Sequence, residues 1–293
     1  MDPNQPESTS TTKKWLIGCG IGCGAVILIV GVLIVGGVFF VRDLVRGFEE
    51  SEAIRETLTE RYGRVTEFTP AADGAIPRDR INEFLEVRDH MRPALERLEK
   101  DIAFLSDEVE NRGDPDARRG GVLSKVRAGF GLVPKLAEFL TARNQALLDG
   151  GMGLGEYFYI YAIAYYSWLG KDVLDGPPFN LMGDEGGYRY RDRSDEESEE
   201  MRRDLMTRRL HRMLSAMLKN QRDAADGAEP AVSEEWREAL NAEIEAMDAD
   251  RYRLAWEDGL PEVITKSLAP FRSRLNDSYR PLLNSLEITL DQN

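Results

Sequence analysis

Residues 81–109, INEFLEVRDHMRPALERLEKDIAFLSDEV, contain the most regular apolar pattern in this chain of 293 residues. Apolar residues recur there alternately three and four positions apart, the spacing that places side chains on one face of an α-helix. The members of this first ladder are Ile81, Phe84, Met91, Leu95, Leu98, Ile102, Leu105 and Val109. Arg88 is the only residue that interrupts it. The pattern predicts a helix that packs lengthwise against another helix, with Pro93 causing a kink or marking a boundary.

A second apolar ladder follows a polar, glycine-containing connection. Its members are Leu123, Val126, Phe130, Val133, Ala137, Leu140 and Leu147, with Asn144 in the position between the last two. Gly129 and Gly131 weaken its middle, and Pro134 suits the first turn of a helix, so we expect two helices here. Two ladders joined by a short polar loop predict an antiparallel helical hairpin. The alternative is that each ladder is the core face of an independent globular helix, which leads to the same all-α class.

Most of the remaining chain also has helical patterns. Residues 42–62 predict a helix, and residues 156–169 are apolar on every side, which is typical of the buried central helix of a domain. Three further helical regions are predicted over 194–222, from 233 onward and over 261–286. No convincing run alternates like a β-strand. We therefore predict an all-α helical bundle that contains the long hairpin.

One long stretch, Trp15–Val41, carries no charged side chain over 27 residues. About 20 apolar residues in a helix cross the hydrocarbon core of a bilayer, so this stretch predicts a single transmembrane helix. A cleavable signal peptide has a shorter apolar core. A lipoprotein signal places its cysteine after the apolar core, whereas Cys19 precedes almost all of it. An uncleaved signal-anchor of bacterial type is the interpretation that fits the stretch.

The anchor divides the chain into predicted parts. These are a polar disordered tail (1–14), the transmembrane helix (15–41), a juxtamembrane helix and linker (42–77) and an all-α soluble domain (78–293). Residues 1–41 hold two basic and two acidic side chains, so the formal net charge of −14 belongs entirely to residues 42–293. Lys13 and Lys14 before the anchor favour a cytoplasmic tail and a periplasmic domain in the cell membrane. Basic residues after the anchor are nearly as numerous, so the reverse orientation stays open.

The first half of the anchor is rich in glycine. The glycines at alternate positions are Gly18, Gly20, Gly22 and Gly24. Members of this set four residues apart form GxxxG pairs, which let two transmembrane helices approach closely and predict a homodimer. The alternative is a monomeric span, because glycine is common in transmembrane helices. Cys19 and Cys23 are candidates for reversible acylation if this end faces the cytoplasm.

The composition and motifs argue against several classes of function. Nucleic-acid binding needs clustered lysine and arginine, which does not fit a net charge of −14. The two cysteines lie four residues apart, which excludes a disulfide-rich scaffold. His90 and His211 lack the spacing of metal-binding motifs, and no phosphate-binding loop or nucleophile elbow is present. We therefore expect no metal and no other cofactor.

Glu156 is the one candidate catalytic residue. It begins an aromatic run, and a carboxylate against aromatic walls is suited to acid–base chemistry. The alternative is an acidic residue in the first turn of a helix, where the helix dipole favours it. The same run offers Tyr157, Tyr161, Tyr165 and Trp168 as the lining of a ligand pocket. The alternative for these aromatic residues is an ordinary core in which the hydroxyls find partners.

These features together favour a membrane-anchored, non-catalytic helical interaction or assembly protein of the bacterial envelope. Its expected partners are the lipid bilayer, a second copy through the transmembrane helix and a protein whose identity the sequence does not reveal. One alternative is a helical bundle that binds a small molecule or lipid in an aromatic pocket. A second alternative is an enzyme that uses Glu156 as an acid or base.

Overall fold

The first apolar ladder forms one continuous helix, α2 (Arg78–Glu110), which follows a shorter helix, α1 (49–62). The computed structural model describes residues 49–110, 121–176, 195–228 and 232–289. The ladder residues between Ile81 and Leu98 are at most 1% exposed. α2 continues through Pro93, which therefore does not mark a helix boundary.

The second ladder also forms one helix, α3 (Gly121–Asp149). The prediction that a second helix begins at Pro134 was wrong, because α3 runs without interruption through Gly129 and Pro134. A proline inside a helix removes one backbone hydrogen bond. Burial of the apolar face of α3, which includes Ala137 and Leu147, offsets that loss, since tertiary packing rather than propensity stabilises most helices in proteins.

α2 and α3 pack along each other and run antiparallel. Arg97 in the second half of α2 forms an ion pair with Glu138 in α3. Near the start of α2, Arg80 Nη2 donates to the carbonyl oxygen of Gly151, just beyond the end of α3, at 3.2 Å. Among the elements that the structure describes, no other pair has a more extensive contact.

The aromatic run forms helix α4 (Leu154–Ala162), which continues as a π-helical segment (Ile163–Trp168). The wider turn is visible in the backbone hydrogen bond from the N–H of Leu169 to the carbonyl of Ala164, at 3.0 Å. Eight of the nine residues of α4 are buried, as the apolar pattern predicted for a central helix.

Further helices complete the domain. They are α5 (Asp195–Asp226), α6 (Glu234–Ala249), α7 (Glu262–Leu268), α8 (Arg272–Ser278) and α9 (Asn284–Thr289). Ser233 caps α6, because its hydroxyl accepts the backbone N–H of Trp236 at 3.3 Å. Short 3₁₀ helices at Ala269–Phe271 and Pro281–Leu283 separate α7, α8 and α9. Each contains a proline, whose missing N–H interrupts the regular hydrogen bonding of an α-helix.

The parts of the chain that the structure describes contain no β-strand, which confirms the prediction of an all-α helical bundle. Within those same parts, no helix combines the length and the apolar character needed to cross a membrane. The predicted tail (1–14) and transmembrane helix (15–41) lie outside the described residues. The candidates that lie there with them are Gly18, Gly20, Gly22, Gly24, Cys19 and Cys23.

Residues Glu50–Asn293 form one compact unit. It includes the described part of the predicted linker, where Leu58 of α1 and Ile76 are buried. A 3₁₀ helix in this linker, Val65–Glu67, packs against α4 and α5. Asn220 of α5 secures the same stretch by donating from Nδ2 to the carbonyl of Thr66 at 3.0 Å. The domain core therefore extends back to α1.

Candidate functional site

A buried ion pair between Arg88 and Glu287 lies at the centre of the domain. Arg88 Nη1 of α2 is 2.9 Å from Glu287 Oε2 of α9, and the two side chains are 1% and 0% exposed. Arg88 Nε and Nη2 also donate to the carbonyl oxygen of Ser278, at 3.0 and 2.9 Å. The guanidinium thus joins α2 to α8 and α9, the last two α-helices in the described part of the chain.

The carboxylate of Glu287 is bound by a tyrosine as well as by the arginine. Tyr157 of α4 donates its hydroxyl hydrogen to Glu287 Oε2 at 2.8 Å, and its oxygen accepts from Arg88 Nη1 at 2.8 Å. Burial by itself lowers the pKa of Arg88, but the charge of Glu287 together with Tyr157, Tyr165 and Tyr161 outweighs it and raises that pKa well above its ordinary value. A low-dielectric interior strengthens such a pair when every partner is satisfied.

A row of tyrosines surrounds this ion pair. Tyr161 and Tyr166 donate to Asn284 Oδ1 at 2.9 and 2.6 Å, and the Tyr165 hydroxyl lies 2.8 Å from Ser278 Oγ. The rings of Tyr161 and Tyr165 meet edge to face, with their centroids 4.6 Å apart. The Arg88 guanidinium lies 5.4 Å from the centroid of each ring.

These tyrosines are closed to solvent. Burial raises the pKa of Tyr157, Tyr161, Tyr165 and Tyr166 above the ordinary tyrosine value. Their hydroxyls bind groups of the protein itself, which is the arrangement expected of a polar core. Trp168 lies apart from them, half-buried, with its ring 5.1 Å from the guanidinium carbon of Arg272. The ligand-binding role of these aromatic residues stays a prediction.

Glu156, the candidate acid or base, lies in the first turn of α4 and faces a guanidinium. Arg80 Nε and Nη2 donate to Glu156 Oε1 and Oε2, each at 2.6 Å. These hydrogen bonds raise the pKa of Arg80 above its ordinary value. The acid–base hypothesis depended on aromatic surroundings, whereas the observed partner is a bidentate arginine that ties the start of α4 to α2.

The two histidines lie in different helices and in different surroundings. His90 is exposed on α2, whereas His211 of α5 is buried, with Nδ1 3.0 Å from the carbonyl oxygen of Arg253. The described ranges contain no group of three or more histidine, cysteine, aspartate and glutamate side chains placed to hold a metal ion. His211 therefore belongs to the packing between α5 and the turn that follows α6.

An open groove of about 900 Å³ lies between α1 and α5. Its lining comprises Glu52, Arg55, Glu56, Thr59, Glu60, Arg64, Val65, Thr66, Leu154, Arg212 and Met213. The acidic residues recur every four positions along one face of α1. Arg212 lies on α5, Thr59 and Thr66 add hydroxyl groups, and Val65, Leu154 and Met213 add apolar surface.

Two of the arginines in the groove already have carboxylate partners. Arg55 Nε donates to Glu52 Oε2 at 3.0 Å, and Arg64 Nε donates to Glu67 Oε1 at 2.8 Å. Glu56, Glu60 and Arg212 are exposed, and they form no ion pair with any other described residue. The groove thus offers two free carboxylates from one helix and one free guanidinium from another.

Sequence reasoning missed both the ion pair and the groove. Arg88 carried a usable signal, because a charge in a buried ladder requires a buried partner, but nothing in the sequence pointed to Glu287. The repeat of glutamates on α1 was equally visible, whereas Arg212 reaches the groove only through the packing of α5.

The three features differ in what they offer to a ligand. The Arg88–Glu287 pair is sealed, the Arg80–Glu156 pair is half-buried and mutually satisfied, and the groove is open with unsatisfied charges of both signs. Of these, the groove is the one suited to recognising another molecule. No protein-family model, curated protein or solved structure matches this chain.

Proposed function

We propose that this chain is a single-pass membrane protein of the bacterial envelope whose all-α domain is a non-catalytic interaction or assembly module. The observation that carries the proposal is the uncharged stretch Trp15–Val41, directly before a helical domain. As a helix, these 27 residues are about 40 Å long, which exceeds the roughly 30 Å hydrocarbon core of a bilayer. The proposed orientation has the tail in the cytoplasm and the domain in the periplasm.

The chemistry of the described domain supports a non-catalytic role. Its buried carboxylates are held in ion pairs, Glu287 by Arg88 and Glu243 by Arg253. Glu156 is held in the same way by Arg80. A general acid or base must exchange a proton with a substrate, which is difficult for a carboxylate whose oxygens both bind one guanidinium. The groove carries exposed charges of both signs, unpaired among the described residues, on an open surface suited to recognition.

The proposal includes a homodimer formed through the anchor. Gly20 and Gly24, one helical turn apart, form its contact face, where the missing side chains let two helices approach, and Gly18 and Gly22 form a second GxxxG pair on the opposite side of the helix. A dimer would present two copies of the domain on the same side of the membrane, as an assembly protein requires.

Fractionation of the full-length chain tests the anchor. We expect the protein to remain in alkali-washed membranes and a reporter fused after Asn293 to be active outside the cytoplasm. The variant Ile29→Lys with Val32→Asp should release the protein, because charged side chains are costly in the bilayer centre. Ser8→Lys with Thr11→Asp adds the same charges at the same spacing in the tail and serves as the control. Release of the unmodified chain into the soluble fraction would overturn the proposal.

Cross-linking in native membranes tests the dimer. Gly20→Ile with Gly24→Ile should reduce the cross-linked dimer several-fold, because two bulky side chains then occupy the proposed contact face. Gly36→Ile with Gly37→Ile changes the same residue type at positions off the Gly20–Gly24 face of the helix and should leave the dimer intact. Equal yields from both variants would show that the glycine face does not mediate association.

A further inference from the structure

The free charges of the groove are arranged for a ligand that is itself doubly charged. Glu56 and Glu60 lie one helical turn apart on α1, so their carboxylates are neighbours on one face of that helix. A primary ammonium has three donors and can hydrogen-bond both carboxylates at once. The α5 part of the lining offers Arg212, whose planar guanidinium matches the oxygens of a phosphate group.

The remaining lining suits the carbon chain attached to such a group. Leu154 and Met213 are buried side chains that contribute apolar surface to the groove, together with Val65. A volume of about 900 Å³ lies within the range of sites for ligands much larger than a single amino acid. The groove therefore combines charged groups with apolar contacts.

The charge of the domain selects among membrane lipids. Residues 42–293 carry the entire net charge of −14, so anionic headgroups are repelled, whereas a zwitterionic headgroup has no net charge and meets no such penalty. The proposed anchor tethers the groove near lipid, which raises the effective concentration of headgroups. We propose that the groove between α1 and α5 binds a phospholipid whose headgroup carries a primary ammonium and a phosphodiester.

In this complex the ammonium lies between Glu56 and Glu60, and the phosphodiester binds Arg212. This inference rests on the proposed membrane anchor for access to lipid. The ligand then lies in the groove, and the tyrosines around Arg88 are part of the domain core. A lysine-rich peptide is the competing occupant, but it has no anionic group for Arg212 to bind, and the arginine repels its positive charges.

The test uses the full-length chain in non-ionic detergent, titrated calorimetrically with short-chain phospholipids. We expect saturable binding of the ethanolamine headgroup. Binding of the choline headgroup should be about tenfold weaker or less, because a quaternary ammonium donates no hydrogen bond. The glycerol headgroup should also bind at least about tenfold more weakly, because it is anionic and has no ammonium for the carboxylates.

Variants locate the binding in the groove. Glu56→Gln with Glu60→Gln, and separately Arg212→Gln, should each weaken binding about tenfold or more, since each removes a charge-assisted contact. Arg212→Lys should restore part of the affinity because it keeps the charge. The matched control is Glu234→Gln with Glu238→Gln, two exposed glutamates four positions apart on α6, which should leave binding unchanged. All the substituted side chains are exposed, and circular dichroism will verify the fold of each variant.

Several outcomes would overturn the proposal. Equal binding of all three headgroups, or binding unaffected by the Glu56 and Glu60 changes, would mean that lipid only partitions into the detergent micelle. Free phosphoethanolamine that binds as tightly as the lipid would refute a membrane source. If a lysine-rich peptide binds while the lipids do not, the ligand of the groove is a protein segment and the lipid proposal is overturned. Fractionation measures membrane insertion of residues 15–41, and calorimetry measures lipid binding in the groove, so failure of one proposal is distinguishable from failure of the other.

Discussion

Arg88 and Glu287 are separated by 199 positions in the sequence, yet their side chains lie 2.9 Å apart in the core. This contact makes α9, at the far end of the described chain, part of the same core as α2. It also gives the buried guanidinium its neutralising charge. The hydrogen bonds from Tyr157 and to the Ser278 carbonyl complete the shell around the pair.

Removal of one member of this pair should destabilise the domain severely. Glu287→Ala leaves the Arg88 guanidinium buried without its counter-charge, which typically costs about 3–5 kcal/mol. Arg88→Met leaves the Glu287 carboxylate buried without its counter-charge and should also cost about 3–5 kcal/mol. Arg88→Met combined with Glu287→Leu should recover much of the loss, because the double variant buries no charge. Denaturant unfolding followed by circular dichroism measures these differences.

Lys219→Met is the matched control, because Lys219 and Asp248 form an ion pair on the surface, where their side chains are 39% and 54% exposed. Exposed pairs contribute less than about 1 kcal/mol. A loss from Glu287→Ala no greater than that from Lys219→Met would contradict the role given to the buried pair.

Gly74 should tolerate no side chain. Its φ is +77°, and a Cβ placed there would lie 2.5 Å from ring atoms of Trp236. Gly74→Ala therefore combines a left-handed backbone penalty with a steric clash, and we expect a loss of about 2–4 kcal/mol in the free energy of unfolding. Gly170 has a φ of +62° but no atom within 4 Å of such a Cβ, so Gly170→Ala should lose only about 1–2 kcal/mol. Equal losses would show that Trp236 does not restrict this position.

The Arg80–Glu156 ion pair should contribute measurable coupling energy. Its side chains are 26% and 18% exposed, so solvent screens it less than a surface pair. A double-mutant cycle with Arg80→Met and Glu156→Gln should give a coupling of about 1–2 kcal/mol in the free energy of unfolding. A coupling near zero would leave Glu156 unconstrained and would revive the hypothesis that it acts as an acid or base.

Alkaline pH should unfold the domain together with ionisation of its core tyrosines. Burial raises the pKa of six of them, Tyr157, Tyr159, Tyr161, Tyr165, Tyr166 and Tyr279. In the unfolded chain the tyrosine pKa is about 10, and burial makes it higher in the folded domain. The resulting stabilisation of the domain is therefore fully present below about pH 10 and is lost as the pH rises from there through the folded-state pKa. Tyrosinate absorbance should therefore rise in step with the loss of helical circular dichroism.

Tyr161→Phe provides the control for this titration, because it keeps the ring and removes one ionising hydroxyl. The absorbance step that accompanies unfolding should shrink accordingly. Ionisation of all the tyrosines near pH 10 while the helical signal persists would show that the aromatic row is open to solvent.

Local sequence patterns were sufficient to predict the helices that carry most of the core. The alternation of apolar residues predicted the position of α2. Ser233, with two acidic residues after it, predicted where α6 begins. Pro134 shows the limit of such patterns, because a proline suited to the first turn lies inside a continuous helix. Its local preference was overridden by the burial of the helix face around it.

The sequence by itself determined the all-α class, the helical ladder of α2 and the buried character of α4, since these depend on the spacing of neighbouring residues along a helix. It also determined that residues 42–293 carry the whole negative charge. Only the tertiary structure decided that Arg88 is neutralised by Glu287, that Glu156 binds Arg80, and that Arg212 of α5 lines the same groove as the glutamates of α1. The physical reason is that a charge interacts with whichever groups folding brings within a few ångströms, and those groups come from segments whose separation in sequence carries no signal.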